Sequence, residues 1–244
     1  MTIEERLEKL ERQLSQVNQA TMALSAEVRT HRFVLDDENG NSRVAIEAFN
    51  GHPALRLYDE SGKTRLALSV SEEGPTLELT GGGGEVRATI RVQRDGPSIM
   101  LLDENGQPRT TLQMSEAGPA TVLYDESGNP RAALTGAKGI PGLSLWDENN
   151  KQRVTLGMKK PGPGLRLSDK NGNARATLIE VNGEPGLALL DENGGIRASL
   201  MVLHDSQMLG IFGEDGNPRV MLSTEKGETA LRLFDKNGNR IPIR

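Results

Sequence analysis

The residues best suited to metal chemistry lie in short acidic segments that recur along the chain. Residues 169–173 and 235–239, both with the sequence DKNGN, resemble the start of a calcium-binding EF-hand loop. In an EF-hand loop the glycine stands at the sixth position, whereas here it stands at the fourth. A turn of about two residues is too tight to surround an ion. We therefore interpret these segments as turns and predict no metal site.

Acid–base pairs are the second candidate chemistry. Asp147 is followed six positions later by Arg153, and this pair recurs along the chain. An active site depends on one asymmetric arrangement, so copied pairs indicate surface charge pairs that contribute about 0–1 kcal/mol each. The three histidines, His31, His52 and His204, occupy different repeat positions and predict neither a ligand cluster nor a triad. We predict no catalytic residue, no cofactor and no enzymatic activity.

These acidic segments belong to a repeat of constant length. The equivalents of Asp59 follow one another at steps of 22 residues, without insertion or deletion, at Asp37, Asp59, Gly81, Asp103, Asp125, Asp147, Asp169, Asp191, Gly213 and Asp235. An arginine stands six positions after each, except in the tenth repeat, which has Ile241. Such regularity is typical of an array of one supersecondary unit.

Each repeat has the pattern of a β-hairpin. In the second repeat Leu55 and Leu57 alternate with polar residues before the turn, and Leu66 and Leu68 do so after it. A two-residue type I′ turn at Ser61-Gly62 would place Leu57 opposite Leu66 and Leu55 opposite Leu68, on one face. Further glycine turns separate the repeats. The sequence therefore predicts an all-β meander of about twenty strands over residues 31–244.

The composition limits the kind of core and of partner. Only 35% of the residues are hydrophobic and 3% aromatic, which favours many thin units over one thick core. The net charge of −5 argues against binding to nucleic acid. There is no cysteine, signal peptide or membrane-spanning run, so we predict a cytoplasmic protein. Contact with a membrane surface stays an open alternative.

An aliphatic column has two interpretations. It consists of the residues four positions before the repeat anchor, interrupted by Thr121: Leu55, Leu77, Ile99, Leu143, Leu165, Leu187, Leu209 and Leu231. Most of it is expected to be ordinary core. If the hairpins close into a ring and the side chains have too little volume to fill its centre, some of these residues would line an apolar channel. Such a channel would accept a lipid-like small molecule.

A row of aromatic residues directly precedes the anchor. Its members are Tyr58, Tyr124, Trp146, Phe212 and Phe234. Packing against arginine stems and neighbouring hairpins is one interpretation. The other is a surface that contacts a partner, because amphipathic aromatic side chains favour interfaces.

Residues 1–30 have a different pattern. Apolar residues alternate at steps of four and three, as in a coiled-coil seam: Ile3, Leu7, Leu10, Leu14, Val17, Leu24 and Val28. The sequence predicts a helix that self-associates, with three or four strands favoured and a dimer possible. The alternative is an amphipathic helix that docks on its own β domain.

The sequence does not decide whether the array of hairpins closes into a ring. The first and tenth repeats lack the polar faces of capping units, which favours a ring that pairs the tenth repeat with the first. A β-prism shared between chains is the alternative.

Ten tandem hairpins of the pattern L-x-L-x-D-E-x-G-x-x-R-x-x-L resemble the β-flower family of bacterial hairpin-repeat proteins. The resemblance covers residues 31–244. It implies hairpins that radiate as petals around a shallow barrel with an apolar central channel, and it implies no established activity. Two functions follow as expectations: a non-enzymatic scaffold multimerised by its N-terminal helix, or a module that binds an apolar ligand.

Overall fold

The computed structural model describes residues 3–22, 29–49, 51–160 and 162–243. One helix, α1, spans Ile3–Met22, and a 3-10 turn spans Ala137–Gly139. The remaining elements are twenty strands: β1 Arg32–Asp36, β2 Ser42–Phe49, β3 His52–Tyr58, β4 Thr64–Ser71, β5 Gly74–Thr80, β6 Val86–Gln93, β7 Gly96–Leu102, β8 Pro108–Ser115, β9 Gly118–Tyr124, β10 Pro130–Thr135, β11 Gly142–Trp146, β12 Gln152–Lys159, β13 Gly162–Ser168, β14 Ala174–Val181, β15 Glu184–Leu190, β16 Ile196–Leu203, β17 Ser206–Phe212, β18 Pro218–Glu225, β19 Glu228–Phe234 and β20 Arg240–Ile241.

All twenty strands form one antiparallel sheet in which each strand pairs with the next strand along the chain. The tandem-hairpin architecture and the all-β class are therefore confirmed. The ring closure is not: within the described residues β20 pairs with β19 and not with β1. An open sheet of this width exceeds the usual limit of about ten strands, beyond which sheets curl or split.

The predicted register is confirmed. Leu57 lies opposite Leu66, and Leu55 lies opposite Leu68. Between hairpins Leu68 lies opposite Leu77, so the leucines continue from one hairpin into the next. One row of facing residues, here called the leucine row, thus crosses β1 to β19. Its members are Phe33, Ile46, Leu55, Leu68, Leu77, Ile90, Ile99, Leu112, Thr121, Leu134, Leu143, Leu156, Leu165, Leu178, Leu187, Leu200, Leu209, Leu222 and Leu231.

The predicted two-residue turn inside each hairpin, here called the tip, is wrong. The N–H of Gly62 donates to the carbonyl of Asp59 at 3.0 Å, and the N–H of Asp59 donates to the carbonyl of Lys63 at 2.9 Å. This is a three-residue loop that ends in a left-handed glycine, with φ of +78° at Gly62. Such a loop alone would pair Leu57 with Arg65. A β-bulge at Arg65 restores the register, so Tyr58 faces Thr64 and Leu57 faces Leu66.

The bulge recurs in the first nine hairpins and is absent from the tenth. There Leu233 pairs directly with Ile241, and Phe234 pairs with Arg240. The tenth hairpin is also the one without the repeated arginine. Two-residue turns do occur between hairpins, as at Asn182-Gly183, where both residues have positive φ.

The interior of the sheet is thin. Within the described residues no large side chain is fully buried, and the buried residues are small, among them Ala45, Thr89, Thr111, Ala133 and Ser199. They lie on the face opposite the leucine row. The interpretation of the leucines as ordinary core is therefore wrong for a single chain. Among the described residues, α1 contacts no strand.

Candidate functional site

The repeated aspartate organises each hairpin tip. The carboxylate Oδ1 of Asp103 accepts the N–H of Asn105 and of Gln107, both at 2.9 Å. Asp169 accepts the N–H of Asn171 and of Asn173 in the same way, at 2.9 and 3.0 Å. These contacts confirm the interpretation of the calcium-like segments as turns, because an aspartate that accepts the N–H groups two and four residues later is typical of a side-chain-stabilised turn.

The bulge directs the repeated arginine across the gap between neighbouring hairpins. Backbone pairing between β4 and β5 ends toward the tips at Leu66 and Leu79. Beyond that point Arg65 donates to the carbonyl of Gly81 at 2.5 Å, and Arg87 donates to the carbonyl of Leu102 at 3.1 Å. A guanidinium thus replaces the missing backbone hydrogen bonds.

Most of these arginines also contact an aspartate of their own tip. Arg87, whose tip has Gly81 at the anchor position, lies 3.7 Å from Glu85 instead. Arg153 lies 3.1 Å from the carboxylate of Asp147 and donates through Nε to the carbonyl of Ser168, in the next hairpin, at 2.8 Å. Arg109 lies 2.6 Å from Asp103 and also donates to the carbonyl of Asp125. The predicted charge pairs are present, and they form part of a structural clamp between hairpins. The hydrogen bond from the arginine to the next hairpin was not predicted from the sequence. The constant position of this arginine, six residues after the repeat anchor, is the feature that could have indicated it.

The contacts within the tips stabilise the charged form of the aspartates. The guanidinium of Arg219, followed by the backbone N–H of Asn217, lowers the pKa of Asp215 from 3.8 to about 2. The backbone N–H of Gln107 is the main cause that lowers the pKa of Asp103. Groups with lowered pKa values in a repeated structural contact indicate stability rather than acid–base catalysis.

The aromatic row lies on the face opposite the leucine row. Tyr58, Tyr124, Trp146, Phe212 and Phe234 are all half-buried near the tips. The Tyr124 hydroxyl lies 3.4 Å from Oγ1 of Thr111. A Cβ added to Gly210 would lie 2.8 Å from the Phe212 ring, so this ring packs flat on the strand. Packing accounts for this position, and contact with a partner stays a prediction.

The leucine face is the apolar side of the sheet. We define it as the leucine row together with the residues two positions nearer the tips on the same side. Among its members the exposed fraction is 49% for Leu178, 48% for Leu200 and 58% for Leu134. The eight predicted channel residues all belong to the row. Ile99, Leu187, Leu209 and Leu231 are exposed, and Leu55, Leu77, Leu143 and Leu165 are half-buried.

An apolar groove of about 610 Å³ lies on this face. Its walls come from consecutive strands, β6 to β10, and from Pro141 before β11. Ile90, Ile99, Leu112 and Leu134 contribute side chains from the row, and Thr121, the one polar member of the row, lies among them. Of the eight predicted channel residues, Ile99 alone lines this groove.

The helix presents a second apolar surface. Ile3, Leu7, Leu10 and Leu14 are exposed by 82%, 57%, 63% and 63%. Leu24 and Val28 lie outside the described residues, as does the side chain of Val17. Among the described residues, no helix has the length and apolar character needed to cross a membrane.

No protein family model matches the chain, and no curated protein sequence matches it. Among solved structures that are similar to it, two have low TM-scores and low identity. The crystal structure of TcdB2-TccC3-TEV is 12% identical, covers 84% of this chain and 12% of that chain, and has a TM-score of 0.20. A porin-like protein from Bacteroides uniformis ATCC 8492 is 10% identical, covers 76% of this chain and 91% of that chain, and has a TM-score of 0.14. This chain therefore spans a small part of the first structure, and neither similarity supports a function.

Proposed function

We propose that this protein is a non-enzymatic structural scaffold whose α1 helices associate into a homo-oligomeric coiled coil. The observation that carries the proposal is the exposed seam of α1. Ile3, Leu7, Leu10 and Leu14 are exposed by more than half, and the helix contacts no strand in the part of the chain that the structure describes. Full burial of each such side chain contributes about 1.5–3 kcal/mol, and heptad pairing of helices is the geometry that buries this seam.

The absence of docking supports pairing between chains over packing on the chain's own β domain. A helix that covered the leucine face would contact the strands, and no contact between α1 and a strand occurs among the described residues. We place this scaffold in the cytoplasm and among the proteins that resemble the β-flower family. Closure of the hairpins into a ring within one chain stays a prediction, and it is an alternative to packing of the leucine face between chains.

The test is the mass of the full chain by light scattering. Leu14→Glu adds a charge to the seam, whereas Ser15→Glu adds the same charge one position away, on the outer surface of the heptad pattern. We expect Leu14→Glu to lower the oligomer number and Ser15→Glu to leave it unchanged. Equal masses for the wild type and both variants would show that α1 does not assemble the protein.

A second function is favoured by the groove on the leucine face. Its volume of about 610 Å³ falls within the range of small-molecule sites, about 300–1,000 Å³, and row residues such as Ile90, Ile99 and Leu112 line it. The ligand class would be an acyl chain or another lipid-like molecule. Mass spectrometry of organic extracts from native protein tests this function, and an extract without a stoichiometric apolar molecule counts against it.

A further inference from the structure

The two faces of the sheet differ in their capacity to face water. The four positions per repeat that form the leucine face, as Leu55, Leu57, Leu66 and Leu68 do in the second hairpin, hold no charged residue within the described strands. The opposite face carries charged side chains such as Arg56, whose guanidinium pairs with Glu47. Within the described strands the leucine face therefore lacks charged groups, whereas the opposite face carries them.

No element that the structure describes covers this face. The accessible surface is 17,682 Å², whereas a compact chain of this length exposes about 10,600 Å². The exposed seam of α1 and the exposed members of the leucine row both belong to this surface. An exposed apolar patch above a few hundred Å² marks an interaction surface in most proteins.

The dimensions of the row decide what can cover it. Nineteen strands at about 4.8 Å spacing give a row of about 90 Å if laid flat. A helix of the length of α1 spans about 30 Å, a third of the row. A second leucine face has the required length and the same apolar chemistry.

We propose that the leucine face packs against the leucine face of a second copy of this chain, as two layers of a β-sandwich. Strands of about seven residues give each face roughly 2,000 Å². Two facing sheets would bury about 4,000 Å² in total, which lies within the range of obligate homodimers. Because each chain presents the same surface, the contact is self-complementary about a two-fold axis.

This interface is independent of the coiled coil proposed above, and it explains how a chain without a large buried side chain acquires a core. It also predicts that the Thr121 groove faces the partner. Failure of one interface leaves the other testable, since Leu14→Glu removes helix pairing and leaves the leucine face unchanged.

The test uses two adjacent positions in β14. Leu178 lies in the leucine row and is 49% exposed, and Ile179 lies on the opposite face and is 45% exposed. The chain has no cysteine, so Leu178→Cys and Ile179→Cys each introduce a single thiol. Both variants are made in the full chain, with and without Leu14→Glu, and reacted with a maleimide.

We expect the L178C thiol to react at least about ten times more slowly than the I179C thiol. At protein concentrations well above the dissociation constant most chains are dimers, and the dimer interface buries the thiol at position 178. The protection should persist with Leu14→Glu, in a species with the mass of two chains, and weaken on dilution. Equal reaction rates would overturn the proposal. So would protection in a species of one chain, which indicates closure within the chain or a bound ligand. Protection that Leu14→Glu abolishes would assign the cover to the helix and likewise overturn it.

A second pair of variants separates assembly from folding. Leu178→Lys places a charge on the leucine face, and Ile179→Lys places the same charge on the opposite face of the same strand. We expect Leu178→Lys to halve the mass and Ile179→Lys to retain it. If circular dichroism shows that Leu178→Lys unfolds the chain, the cysteine labelling still decides.

Discussion

Nε of Arg153 donates a hydrogen bond to the carbonyl of Ser168, which belongs to the next hairpin. The contact lies where the backbone ladder between hairpins has ended, because Val154 and Leu167 are the last paired residues on that side. The arginine reaches this carbonyl because it occupies the bulge. One residue type thus sets the register inside a hairpin and joins that hairpin to its neighbour.

The clamp makes a measurable contribution to stability. We expect Arg153→Ala to lower the free energy of unfolding by about 1 kcal/mol, because it removes a charged hydrogen bond that is partly exposed. Arg153→Lys should recover part of this loss, since an ammonium keeps the charge but cannot contact Asp147 and Ser168 together. Urea denaturation measures the effect. Lys151→Ala, which keeps the backbone contact to Asp147, is the control. Equal stability of the Ala variant and the wild type would show that the clamp is incidental.

The tip loop depends on one left-handed residue. Gly106 has φ of +75°, and a Cβ added there would meet no atom within 4 Å. We expect Gly106→Ala to destabilise the protein by about 1 kcal/mol through backbone strain alone. Gly106→Asn should cost less, because Asn150 adopts φ of +58° at the same position of the sixth hairpin. Thermal or urea unfolding of both variants tests this order, and a tolerated alanine would contradict the assignment of the loop.

The aspartate contacts predict acid sensitivity. The pKa of Asp215 is lowered to about 2 in the folded protein, against an ordinary value of 3.8. A lowered folded-state pKa stabilises the protein above the unfolded-state value, and this stabilisation is lost as the pH falls from about 4 toward 2. We expect Asp215→Asn to reduce that loss. Urea midpoints at pH 7, 4 and 2 measure it, with Glu214→Gln, whose side chain is 95% exposed, as the control. An unchanged acid dependence in Asp215→Asn would contradict the role of the Arg219 contact.

Thr121 tests the ligand function. It interrupts the leucine row inside the groove of about 610 Å³. We expect Thr121→Leu to complete the row, narrow the groove and weaken the binding of a fluorescent fatty acid severalfold. Val122→Leu changes the neighbouring residue, whose side chain points to the other face, and should leave binding unchanged. A titration in which Thr121→Leu binds as the wild type does would argue against an acyl ligand in this groove.

Alternation made the strand register predictable from the sequence. Leu57 and Leu66 must share a face if either is to leave water, and this condition allows one pairing. The turn type was not predictable in the same way. A two-residue loop gives the same pairing as a three-residue loop with one bulge, so the leucines do not distinguish the two. The β-bulge explains why an arginine, Arg65 in the second hairpin, stands six positions after the repeat anchor.

What covers the leucine face could not be predicted from the sequence, for a different reason. The pattern identifies which side chains avoid water, but not which surface covers them. Leu178 and Leu200 have the spacing of core residues, yet both stay about half exposed in the single chain. Closure around an axis and packing between chains satisfy the same pattern.

Within the described sheet, each strand pairs only with the strands directly before and after it in the sequence. The number of hairpins can therefore change without a change in the pairing of the others. Removal of residues 94–115 would take out one whole period and leave β6 beside β9 with chemically equivalent partners, Ala88 facing Leu123 as it now faces Leu101. Duplication of one period would extend the array with equal ease, since the energy of such arrays sums over adjacent units. Genes of this kind can therefore gain or lose single hairpins by recombination without passing through an unfolded product.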